Sequence, residues 1–89
     1  MNSDEQAEYA ILSLMTAFTH KFAIAVNYPL TEIEQQALER LLLRDWIRLI
    51  DVSSIAIAPL GLLRVFRVMP DAVQWFKTET PLAQAKGQP

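Results

Sequence analysis

The chain has 89 residues, no cysteine, one histidine and two glycines; 52% of it is apolar and its formal net charge is −2. That length fits one small domain, which buries only about 60–65% of the surface its unfolded form exposes. No disulfide can reinforce so thin a core, a lone histidine builds no zinc or haem site, and the net charge argues against a general polyanion binder.

The apolar content is high for so short a chain. It leaves surface that self-association would hide, so a homodimer is expected. The charge is unevenly spread. Asp4, Glu5, Glu8, Glu32 and Glu34 face only Lys21 in the first 34 residues, whereas Arg40, Arg44, Arg48, Arg64 and Arg67 outnumber Asp45 and Asp51 between positions 40 and 67. The acidic start, MNSDEQAE, is unlike a secretory signal. The apolar stretch from Tyr9 to Val26 is broken by Ser13, Thr16, Thr19, His20 and Lys21, too polar for a membrane span. Together with the missing cysteines, these features predict a cytoplasmic protein without membrane partners.

In chain order, Ser3 with Gln6 forms a candidate capping box. Ile11, Leu14, Met15, Phe18 and Phe22 then recur at helix spacing and predict a helix over 4–22 whose stripe packs in the core. His20 lies off that stripe and is expected at the surface. Residues 23–28 fit a short strand or a further helical turn, and Asn27-Tyr28-Pro29 breaks the chain. Thr31 and Glu34 make the clearest capping box, with first-turn glutamates suiting the helix dipole. The helix it opens buries Ile33, Ala37, Leu38, Leu41 and Leu42 and ends near Arg44. Residues 47–52 and 62–69 predict two strands of a hairpin, joined by 53–61 with Pro59 and Gly61. Pro70 opens a last helix to about Lys77, using Ala72, Val73, Trp75 and Phe76. The domain is expected to span 1–79, and the polar, proline-containing 80–89 to form a disordered tail. Leu38, Leu41, Trp46, Phe66 and Phe18 are predicted to share one core.

ALERLLLRDWIRLID (37–51) and LRVFRVMPDAVQWF (63–76) are the informative stretches. The first runs a leucine-spaced helix into an isoleucine-led strand with no glycine at the join; the second turns a strand through Met69-Pro70-Asp71 into a helix. Together they resemble the winged-helix domains of bacterial and phage regulators, over roughly 11–77. The resemblance implies a small α+β winged-helix-like domain: helices followed by a β-hairpin and a closing helix. Trp46 would pack under the hairpin and fix the angle at the join, where Arg44 and Asp45 would take an unusual backbone conformation.

In that family the exposed face of the recognition helix enters the major groove. The resemblance therefore implies a transcriptional regulator contacting double-stranded DNA, with Gln35 and Gln36 facing bases and Arg40, Arg44, Arg48, Arg64 and Arg67 holding phosphates. Against it stand Glu32, Glu34 and Glu39 on the same helix, and a wing, SSIAIAPLG, without charge. The alternative is a non-catalytic adaptor or antagonist that keeps the winged-helix shape and binds a protein. The arginines would then pair with Glu39, Asp45 and Asp51; alternation along the strands could still bring Arg48 and Arg67 to one outward face. Ile55, Ile57 and Leu60 at the apolar tip are the candidate interface, towards a second copy or a protein partner. No nucleophile–base arrangement, metal set or phosphate loop is visible, so neither enzymatic activity nor a cofactor is expected.

Overall fold

The structure is a computed structural model, and residues 1–54 and 62–87 are described. The elements are α1 (Ser3–Leu12), β1 (Lys21–Ala25), α2 (Glu32–Leu43), β2 (Ile47–Ser54), β3 (Leu62–Val68) and α3 (Pro70–Gly87). This is a small α+β domain, compatible with the expected fold. β2 and β3 form the predicted hairpin, and β1 adds to β3 to give an antiparallel sheet of order β1-β3-β2. One sheet face carries Phe22, Ile24, Ile47, Phe66 and Val68 into a core closed by Ile11 and Leu12 of α1, Ala37, Leu38 and Leu41 of α2, and Ala72 and Val73 of α3. Phe22 stacks on Phe66 across the β1–β3 pair, with ring centroids 5.2 Å apart. A single helix, α2, lies between β1 and β2.

α1 is shorter than predicted. Asn2 caps it, with Glu5 completing a box one residue earlier than Ser3 and Gln6. It ends at Leu12 because the following side chains favour local bonds over helix. The Ser13 hydroxyl donates to the Ala10 carbonyl (2.6 Å), Thr16 and Thr19 join their hydroxyls, and the Thr16 N–H reaches forward to the Lys21 carbonyl (2.9 Å). His20 then takes a left-handed conformation (φ 50°) and turns the chain into β1. Its ring is half-buried, with Nδ1 lacking a hydrogen-bond partner, so it is not the plain surface residue expected. The predicted stripe thus belongs to two elements. Phe22 is buried from a strand, while Phe18 is 97% exposed and lies outside the core.

α2 follows the expectation closely. Thr31 Oγ1 accepts from the Glu34 N–H (3.2 Å), and the Glu34 carboxylate accepts from the Thr31 N–H (3.0 Å). Ala37, Leu38 and Leu41 are buried; Ile33 and Leu42, on either flank of that stripe, stay exposed.

The join to β2 explains the missing glycine. Asp45 adopts φ 60°, the left-handed position that usually closes a helix with glycine or asparagine. The Trp46 N–H donates to the Leu41 carbonyl (3.0 Å) and the Asp45 N–H to the Leu42 carbonyl (3.1 Å), the paired bonds of a Schellman motif. Asp tolerates this conformation better than most residues. Its carboxylate is gripped by Arg48, from Nε at 2.8 Å and Nη2 at 2.7 Å. Trp46 is half-buried against the core and packs on Trp75 of α3 (5.6 Å between rings), so it also orients the closing helix.

β2 carries a bulge at Ile50, between the pairs Leu49–Phe66 and Asp51–Val65. The connection with Ile55, Ile57 and Leu60 lies outside the described residues. α3 begins at Pro70 as predicted and runs on to Gly87, so 80–87 are helix where a disordered tail was expected. Tyr9 accounts for part of the extra length. It stacks on Phe76 (4.7 Å) and donates from its hydroxyl to Thr80 Oγ1 (3.0 Å), tying α1 to α3 beyond Lys77.

Candidate functional surfaces

The predicted arginine set divides into three groups. Arg40 and Arg44, one turn apart on α2, both close on Glu8 of α1. Arg40 Nε donates to Glu8 Oε1 at 3.0 Å and Arg44 Nη2 to Oε2 at 2.7 Å; a further bond runs from Arg40 to the Asp4 carbonyl (3.3 Å). Glu8 is only 2% exposed, the one charged residue in the buried set. Arg44 also lies over the Trp46 ring, 4.3 Å from its centroid. These cations therefore hold α1 to α2. Glu39, their expected partner, is not used. Glu8 went unnoticed in the sequence, yet a signal was there: with Ile11 and Leu12 it falls at i, i+3 and i+4, on the face that α1 buries.

Gln35 and Gln36 are likewise committed. Gln35 Nε2 donates to Glu39 Oε1 (3.3 Å) and Gln36 Nε2 to Glu32 Oε1 (3.4 Å). The outward face of α2 thus presents Glu32, Gln36 and Glu39 beside two exposed apolar side chains, Ile33 and Leu43, the latter 87% exposed. The capping bond from the Thr31 backbone N–H, with a smaller contribution from its hydroxyl, holds the Glu34 carboxyl below its ordinary value, so it too stays charged.

Arg48 and Arg67 meet as alternation along the strands suggested. Arg48 pairs with Arg67, and Arg67 with Lys21, so three cations form one row across all three strands. Phe66 and Val68 point into the core, so Arg67 and its partners lie on the opposite, outer face. Within the row Arg48 binds Asp45, and this hydrogen bond lowers the Asp45 pKa and raises that of Arg48. Lys21 and Arg67 form no salt bridge among the described residues. The next row on this face is Ala23, Val65 and Asp51, and Ala25 pairs with Leu63 beyond it. Arg64 is apart from these. It lies on the core side with its guanidinium 5.8 Å from the Phe66 ring and its Nε without a hydrogen-bond partner.

A cleft of about 360 Å³ opens beside β1, one of the two edge strands of the sheet. Its wall includes Leu14 just beyond the end of α1, Ala23, Ala25 and Leu63 of the sheet, and Tyr28 and Leu30 of the loop before α2, with Ile11, Ile24 and Glu34 closing it from the core side. Among the described residues no three His, Cys, Asp or Glu side chains gather where they could hold a metal ion, and no helix is long and apolar enough to cross a membrane. No family model, curated protein or solved structure matches the chain.

Proposed function

We propose that this chain is a non-catalytic protein-interaction module of winged-helix-like shape, and that a second copy of itself is among its partners. The observation that carries this is the closure of Arg40 and Arg44 on buried Glu8. It takes from α2 the cations that a groove-entering helix would turn to phosphate. What α2 offers outward is acidic and apolar: Glu32, Gln36 and Glu39 beside Ile33 and Leu43. Such a face repels duplex DNA and suits a protein surface. A DNA-binding regulator is the second reading, and the observation in its favour is the row of Lys21, Arg67 and Arg48 on the outer sheet face.

Light scattering behind a sizing column tests the first reading. Wild type is expected to run larger than one chain at high concentration. Leu43→Asp is expected to shift it to a smaller species with unchanged circular dichroism, since Leu43 supports no core contact. A monomeric wild type that shifts mixed duplex DNA at low salt would reverse the order of the two readings.

A further inference from the structure

The outer sheet face is a feature that neither the core nor α2 accounts for. Its row of Lys21, Arg67 and Arg48 is costly for folding, because like charges directly opposite one another repel. Asp45 offsets Arg48 alone. Along the strands from this row come Ala23 and Val65, with Asp51 at the far side, and then Leu63 opposite the buried Ala25. That direction leads to the cleft at the β1 edge, which shares Ala23, Ala25 and Leu63 with this face and takes Ile11, Ile24 and Glu34 from the core side. Cations at one end and a mainly apolar cleft at the other thus lie along one line, from the Arg67–Lys21 pair to the β1 edge. Three paired positions span about 10 Å across the strands, and Arg67 to Leu63 is about 13 Å along them.

We propose that this track docks a segment of a partner protein that carries carboxylates at one end and a large apolar side chain at the other. The inference rests on the interaction-module reading and names that partner's chemistry. The carboxylates meet Arg67 and Lys21, where a planar guanidinium can take a carboxylate through two bonds. The apolar side chain enters the cleft near Leu14 and Tyr28. A separation of about 13 Å corresponds to about four residues of extended chain or nine of helix. Nucleic acid fits the same face less well. A phosphate backbone carries charge at every step and has nothing apolar to place along Ala23, Val65 and Leu63 or in the cleft.

Selection of a random twelve-residue peptide library on the immobilised full chain, at low salt, tests this. Recovered peptides are synthesised and titrated by fluorescence anisotropy against wild type, Arg67→Glu, Leu14→Ser and Leu43→Asp. All three positions are exposed, so all three variants keep the fold, which circular dichroism checks. The expected peptides have carboxylates and one large apolar residue at the stated separation. Arg67→Glu should weaken them by about tenfold or more, since it turns attraction into repulsion, and added salt should weaken them as well. Leu14→Ser should weaken the same peptides. Peptides without an acidic end, binding equal on wild type and Arg67→Glu, or no recovered peptide would each overturn the proposal. Mixed duplex DNA that binds wild type, fails on Arg67→Glu and is not displaced by any peptide would give the face to nucleic acid instead. Peptides lost on Leu43→Asp but retained on Arg67→Glu would leave the module reading standing and remove this track from it.

Discussion

Removing the two sides of the Glu8 clasp should have unequal consequences. The carboxylate is buried, whereas the Arg40 and Arg44 side chains keep 31% and 43% of their surface in water. In Glu8→Ala two charge-assisted bonds are lost, each contributing about 1.5–3 kcal/mol in general. The freed guanidinium groups turn to solvent and recover much of that, so a net loss of about 2 kcal/mol is expected. In the double variant Arg40→Ala/Arg44→Ala the carboxylate stays buried without a partner, which costs about 3–5 kcal/mol. Loss of the contact between Arg44 and Trp46 adds about 0.5–1 kcal/mol. In a domain this size 1 kcal/mol moves Tm by about 4–8 °C, so thermal melts separate the cases easily. Introducing the arginine changes into Glu8→Ala should cost far less than introducing them into wild type, a positive coupling that a double-mutant cycle measures. Equal losses for the acid and arginine variants, or additive effects in the cycle, would refute the idea that one buried charge governs this contact.

Leu41→Ala empties a fully buried position and is expected to cost about 2–5 kcal/mol by chemical denaturation. Thr31→Ala removes the capping hydroxyl at the start of α2 and is expected to cost about 1 kcal/mol, with Ser restoring most of it in the same assay. Asp45 has its pKa lowered by Arg48, so the pair's contribution is present above the ordinary aspartate range and is lost as pH falls through the folded value. Wild type should therefore lose stability on acidification in that range more steeply than Asp45→Asn, as melts at successive pH values would record.

What could be seen in the sequence was what neighbouring residues decide among themselves. The Thr31–Glu34 box and the leucines behind it specify α2, and the hairpin follows from its β-rich runs. The unusual backbone at Asp45 could be anticipated because a helix that enters a strand without glycine has to reverse somewhere. The Arg48–Arg67 pairing needed only alternation. What could not be seen depends on contacts far apart in sequence. Ile11 and Phe22 read as one stripe because helix and strand patterns happened to run in phase, and only the local bonds of Ser13 and Thr16 divide them. α3 outlasts its own apolar pattern because Tyr9 reaches Phe76 and Thr80. Arg40 and Arg44 looked free because Glu8, more than thirty positions earlier, does not resemble a partner until α1 lies beside α2.

The bulge at Ile50 bears on how this protein stays separate from its neighbours in a crowded solution. Among the described residues β1 and β2 are edge strands with no further strand beside them, and an open edge invites pairing with any extended chain. β1 is short, with five residues. β2 is longer, and there the extra residue breaks the even spacing of hydrogen-bonding groups, while Arg48 and Asp51 place charge on either side of the break. A strand so interrupted is a poor template for stacking. The irregularity thus works as a guard, leaving side-chain recognition, rather than backbone pairing, to decide what this small apolar chain adheres to.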